Sequence, residues 1–100
     1  MARNQKLTHT LQGRSFNAVR REDQNLVFDL NDGSTMWVKT VMSQTPLPEI
    51  KTGDLVHAVR QQNTDFTLDF ESGARLSLQT AEATSCVLVR GKDHALEYAD

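Results

Sequence analysis

Three histidines, one cysteine and a recurring pair of aspartates are the side chains of this 100-residue chain that could react, titrate or ligate. A strand pairing that sets Asn17 opposite Asp29 in the first half sets His57 opposite Asp69 in the second. Such a pair can orient an imidazole for proton transfer, but general acid–base catalysis also needs a nucleophile or substrate within reach. None is offered there, so the expectation is a surface pair with no catalytic residue. His9 and His94 stand in no ligand spacing with each other or with His57. The single Cys86 can build neither a thiolate cluster nor an intramolecular disulfide. No metal site and no cofactor are therefore expected, and Cys86, followed by Val87, Leu88 and Val89, reads as a buried structural thiol. There is no phosphate loop, nucleophile elbow or glycine-rich dinucleotide turn. Asp29 and Asp69 recur at an offset of 40 residues, as do Arg20 and Arg60. The aspartates read as solvated strand-face residues. The arginines read as stems packed over the mouth of the fold with their guanidinium groups in water, anion recognition being the alternative.

Charge is unevenly placed. The net charge is −2, yet residues 1–21 carry Arg3, Lys6, Arg14, Arg20 and Arg21 without an acid, and the remainder carries −7. A basic end of this kind serves solubility or meets an anionic partner, so these five residues are the candidate anion or nucleic-acid contacts. The start of the chain has no apolar run behind its positive charges, and no stretch approaches the roughly 20 apolar residues of a membrane span. The expected setting is cytoplasmic, with no membrane partner.

The elements that must position these residues follow from an internal periodicity. Residues 11–40 laid over 51–80 without a gap give seven identities: Gly13/Gly53, Ala18/Ala58, Val19/Val59, Arg20/Arg60, Asp29/Asp69, Gly33/Gly73 and Thr40/Thr80. Class is kept at Phe16/Val56, Leu26/Phe66, Phe28/Leu68, Leu30/Phe70, Met36/Leu76 and Val38/Leu78. The match extends to Leu7/Leu47, and Leu96 gives a third, partial echo of Phe16 and Val56. Apolar residues alternate within each unit, as in Leu26-Val27-Phe28-Asp29-Leu30, which is the period of half-buried antiparallel strands. Asn31-Asp32-Gly33 and Glu71-Ser72-Gly73 place glycine where a tight hairpin requires positive φ, and Glu22-Asp23-Gln24 and Gln62-Asn63-Thr64 supply polar tips. Helix signals are weak: Thr80-Ala81-Glu82-Ala83-Thr84 could form one turn, and Gln44-Thr45-Pro46-Leu47-Pro48 reads as an extended connection. The fold expected is all-β: two pseudo-symmetric three-stranded meanders, in repeats 7–46 and 47–86, with a closing C-terminal segment 87–100. One domain spanning 1–100 and barrel-like is favoured over two tandem barrels, because about 40 residues is marginal for an independent core.

Matched positions define scaffold, and mismatched ones nominate function. If Phe16 faces Leu30 and Ala18 faces Phe28, the outer face of the first unit presents Val19 beside Val27, then Trp37 and Lys39. The second unit has Val59, Thr67, Ser77 and Gln79 at the same places. Val19, Val27, Trp37 and Lys39 are therefore the candidate interface, to be covered by another part of the chain, a second copy or a foreign partner.

Gly53-Asp54-Leu55-Val56-His57-Ala58, followed by strands at Phe66–Phe70 and Arg75–Leu78, resembles the opening of SH3-like barrels of the Tudor kind. Leu11-Gln12-Gly13 and Ser34-Thr35-Met36-Trp37-Val38-Lys39 are similar to strands of bacterial Sm-like RNA chaperones. The resemblance implies SH3-like topology and adds weight to an RNA or peptide ligand. It carries no functional residue over, because the aromatic cage of Tudor domains is absent and the Sm-like spacing from glycine to turn aspartate is not kept. The leading expectation is a non-catalytic interaction module that self-associates through Val19, Val27 and Trp37. The second is nucleic-acid binding, RNA or single-stranded DNA, with Trp37 as a stacking surface; an enzyme ranks third.

Overall fold

A computed structural model describes residues 2–40 and 47–100. Alternation of apolar and polar side chains produces two three-stranded meanders: β2 (Phe16–Glu22), β3 (Asn25–Leu30) and β4 (Thr35–Lys39), then β5 (Val56–Gln62), β6 (Asp65–Phe70) and β7 (Arg75–Gln79). A short β1 (Ala2–Arg3) precedes them, and β8 (Val87–Arg90) with β9 (Leu96–Ala99) forms the C-terminal hairpin. The strands make two antiparallel sheets, ordered β1-β5-β6-β7 and β2-β3-β4-β8-β9. One cluster of buried side chains, including Phe16, Phe28, Phe66, Leu68 and Val89, draws on both sheets, so the chain is one all-β domain.

The meanders share one register at an offset of 40 residues: Phe16↔Leu30 and Val19↔Phe28 in the first match Val56↔Phe70 and Val59↔Leu68 in the second. Both tight turns match as well. Asp23 and Asn63 each lie at φ 54°, and Gly33 and Gly73 lie at φ 88° and 92°, where a side chain would be strained. Two isolated bridges link the sheets, Ser15↔Leu55 and Thr40↔Thr80. Among the described residues the sheets meet through these single bridges, and no continuous ladder closes them into a barrel.

Four expectations need correction. First, each opening strand carries a β-bulge, the register shifting between Phe16 and Ala18 and again between Val56 and Ala58. An extra residue on one strand reverses the facing of all that follows. Ala18 therefore pairs with Asp29, and Val19 with Phe28, turning Val19 toward the core.

Second, a helix, α1 (Gln5–Leu11), stands where none was expected. Asn4 caps it by accepting from the Leu7 backbone N–H, and Leu7 and Leu11, four positions apart, are both fully buried. Seven residues make a poor helix alone. Burying two leucines contributes about 1.5–3 kcal/mol each, enough to hold it. Thr8 fixes its position: its hydroxyl donates to the Val59 carbonyl (3.3 Å) and accepts from the Val59 N–H (2.9 Å). At the offset positions Pro48 replaces Thr8 and Lys51 replaces Leu11, which removes both anchors.

Third, the Leu7/Leu47 and Leu96 matches are not structural: Leu47 is 51% and Leu96 55% exposed, against full burial of Leu7 and Val56. Fourth, Thr80 enters a bridge and Ala81–Ser85 run as bends, so no helical turn forms there. Of the proline-containing connection, residues 44–46 lie outside the described residues, and Leu47 and Pro48 have no regular structure.

Candidate interaction surface

The bulge decides which side chains share the outer face of the five-stranded sheet. Beyond Ala18, the ladder aligns Arg20 with Val27, Val27 with Trp37, Trp37 with Leu88 and Leu88 with Ala99. Val27 is completely buried although it lies outside the core cluster, while Trp37 and Leu88 are half-buried. Val19 is absent from this row and Leu88 takes its place in the patch. Sequence reasoning missed Leu88 because Val87-Leu88-Val89 is apolar at every position, so alternation alone does not say which residue faces out. Lys39 lies on the same face, one diagonal from Val27, and a shallow groove runs between Trp37, Lys39, Ser85, Leu88 and Ala99.

The corresponding row of the other sheet is Arg60, Thr67 and Ser77. Thr67 and Ser77 hydroxyls lie 3.3 Å apart, and Arg60 donates from Nε and Nη2 to both carboxylate oxygens of Asp69, at 2.8 and 3.0 Å. One sheet thus presents an apolar row and the other a hydrogen-bonded polar one.

The basic residues of the N-terminal region do not form one patch. Arg14 donates to Glu97 at 2.6 Å, lies 3.4 Å from Asp32 and donates to Ser34, so it pins the C-terminal hairpin to the β3–β4 turn. Arg20 donates to Asp29 at 2.6 Å and to Glu22 at 3.3 Å, and the Asp29 carboxylate holds its guanidinium even more firmly protonated than usual. Arg21 faces inward with Leu26 and reaches the Thr40 hydroxyl. Lys6 is exposed on α1, beside a groove floored by β9, and the backbone of Arg3 pairs with Arg60.

His57 does not meet Asp69. It sits in the second bulge, its Nδ1 3.6 Å from Glu71 Oε1 with both side chains more than half exposed, while Asp69 is taken by Arg60 and by Arg75 at 3.2 Å. Among the described residues no cluster of His, Cys, Asp and Glu is arranged to hold a metal ion. Cys86 is buried, with Sγ 3.3 Å from the Glu82 N–H. No helix among the described residues is long and apolar enough to cross a membrane. No family model matches the chain, and no curated protein or solved structure matches it.

Proposed function

We propose that this chain is a non-catalytic interaction module that receives an extended segment of a partner protein on the outer face of its five-stranded sheet, centred on Trp37. The observation that supports this reading is the row Val27, Trp37 and Leu88, in which Trp37 and Leu88 stay half-buried beside a fully buried Val27, where the equivalent row of the other sheet is polar. Aromatic side chains on a half-buried face, rimmed by charge, are the usual anchors of protein recognition. Arg20 and Lys39 supply that rim. Nucleic-acid binding is the weaker reading, because Arg14 and Arg20 are already engaged by carboxylates that a phosphate would have to displace.

The test is selection of displayed random peptides on the immobilised protein, followed by titration of the recovered peptides against Trp37 emission. Trp37 is the single tryptophan, so the signal is unambiguous. Peptides that shift this emission and lose at least tenfold in affinity to Trp37→Ser or Leu88→Thr support the reading. Failure to enrich any peptide, or binding that ignores both substitutions, overturns it. A response to oligonucleotides alone, falling steeply with salt, would favour the second reading instead.

A further inference from the structure

β7 ends its sheet, and the offset of 40 residues shows what that position can hold. Its counterpart β4 carries β8 along its outer edge, in the register Thr35↔Arg90, Trp37↔Leu88 and Val38↔Val87. Lys39 N–H donates to the Cys86 carbonyl at 2.8 Å, so the odd-numbered residues of β4 direct their backbone groups outward to β8. At the residues that flank β7, Phe70 N–H donates to the Ala74 carbonyl and Thr80 N–H to the Thr64 carbonyl, both at 2.9 Å. With the register Phe66↔Leu78 and Leu68↔Leu76, Leu76 and Leu78 spend their backbone groups on β6. Arg75, Ser77 and Gln79 therefore aim theirs at the outer edge, where no strand among the described residues pairs with them.

Among the described residues, the segment that stands where a covering strand would be has a reason not to fill that edge. Residues 47–50 stand at the offset positions of 87–90, and Pro48 falls where Leu88 pairs with Trp37. Proline has no N–H to give, and Leu47–Ile50 form no bridge with β7. Leu76 and Leu78 keep 7% and 5% exposure, whereas Met36 and Val38, covered by β8, have none.

We propose that β7 joins two copies of this chain edge to edge, antiparallel, about a twofold axis through Ser77. In that register Ser77 meets the partner's Ser77, Arg75 meets the partner's Gln79, and Leu76 meets the partner's Leu78. Every outward backbone group is then matched to an outward group. The side chains are complementary too. Arg75 is held by Asp69 at 3.2 Å, and Gln79 donates through its amide to Asp65. Across the join each Arg75 lies between its own Asp69 and the partner's Gln79 and Asp65, and no like charges stand opposite each other. The Thr67 and Ser77 hydroxyls of the two copies form one continuous row. This inference rests on the interaction-module reading for its class but uses the opposite sheet, leaving both Trp37 faces free.

Sedimentation velocity over a dilution series from about 1 mM to about 1 μM reads the mass. Wild type is expected to pass from dimer to monomer. Ser77→Pro removes an N–H that pairs with no strand among the described residues, a position where edge strands tolerate proline, and is expected to stay monomeric with unchanged far-UV circular dichroism. Arg75→Glu, which sets an acid between two aspartates, is expected to weaken the dimer at least tenfold without touching the backbone. Ser77→Cys is expected to give a covalent dimer on oxidation, with the buried Cys86 spectating. Trp37→Ser leaves the mass unchanged if β7 is the join, whereas loss of the dimer with Trp37→Ser moves self-association to the other face. Wild type that is monomeric at every concentration overturns the proposal, as does a dimer indifferent to both Ser77→Pro and Arg75→Glu.

Discussion

Thr40 and Thr80, forty residues apart, face each other in an antiparallel bridge, and each hydroxyl approaches the backbone carbonyl of the residue 16 positions before it: Gln24 at 3.1 Å and Thr64 at 3.3 Å. Both threonines are buried, at 0% and 1% exposure, at the point where β4 and β7 leave their hairpins and the two sheets touch. The bridge thus locks each meander to its own first turn and to the other meander.

Thr40→Val keeps the shape but removes the donor to Gln24 and the acceptor used by Arg21. The Gln24 carbonyl retains the Thr40 N–H at 2.9 Å, so only one of its two bonds is lost. A cost of about 1 kcal/mol is expected in urea unfolding with an unchanged m-value. An unchanged midpoint would show that the hydroxyl contributes nothing at this join.

Tyr98 makes the alkaline side of stability readable. Burial raises its pKa; the Asn4 amide, donating to its oxygen at 2.8 Å, opposes this, Asp100 adds to the rise, and the net direction is upward. A raised folded pKa means that the folded state holds the proton longer. The stabilisation is fully present below the unfolded tyrosine pKa and is lost as pH climbs through the folded one. As this is the only tyrosine, absorbance near 295 nm titrates it alone. The folded protein should ionise at higher pH than the unfolded chain, and Tyr98→Phe should remove that part of the alkaline loss. Coincident titration of folded and unfolded protein would contradict this.

At the acid end the relevant group is Asp32. Partial burial pushes its carboxyl up, but hydrogen bonds from the Ser34 hydroxyl and from the Ser34 N–H (3.0 Å), with the Arg14 guanidinium beyond, hold it below its ordinary value. A depressed folded pKa contributes stability above the unfolded pKa that disappears as pH falls through the folded one. Asp32→Asn should therefore lower the melting temperature at neutral pH while flattening its decline at acid pH. A decline as steep as that of wild type would place the acid sensitivity elsewhere.

How much of this was legible depends on which physical signal each element leaves in the chain. The strands β4 and β7 alternate cleanly, and Leu26/Phe28/Leu30 and Phe66/Leu68/Phe70 keep a period of two in β3 and β6, so the turns and inward residues of all four were readable. The bulges were not, because Phe16-Asn17-Ala18-Val19 offers two registers, one with Ala18 inward and one with Val19 inward. The intact pairing of β2 with β3 beyond the bulge decides between them. The extra residue of the first bulge moved Val19 to the core and put Arg20 in the outer row, and that of the second separated His57 from Asp69. Helix α1 left two faint marks, the Asn4 cap and the Leu7/Leu11 spacing, too few at seven residues to outweigh the β pattern around them. Leu88 entered the candidate surface only through the pairing of β8 with β4, which no local pattern encodes.

The arginine–aspartate pairs at matched positions should not be equal in strength. Arg60 holds Asp69 with two parallel hydrogen bonds, the side chains being 29% and 22% exposed, and Arg75 adds a third contact. Arg20 divides its guanidinium between Asp29 and Glu22, with side chains at 49% exposure for the arginine and 38% for Asp29. Bidentate geometry and lower exposure strengthen an ion pair, whereas solvent screens an open one. Asp69→Asn is therefore expected to cost about 1 kcal/mol and Asp29→Asn to shift the unfolding midpoint by less, with added salt narrowing the difference. Asp69→Asn also releases Arg75, the cation that the proposed β7 join places beside the partner's Asp65. The variant should thus destabilise the fold without abolishing the dimer. Equal midpoints for the two variants would mean that the second sheet's polar face is held by its hydroxyl row, Thr67 and Ser77, and not by its arginine.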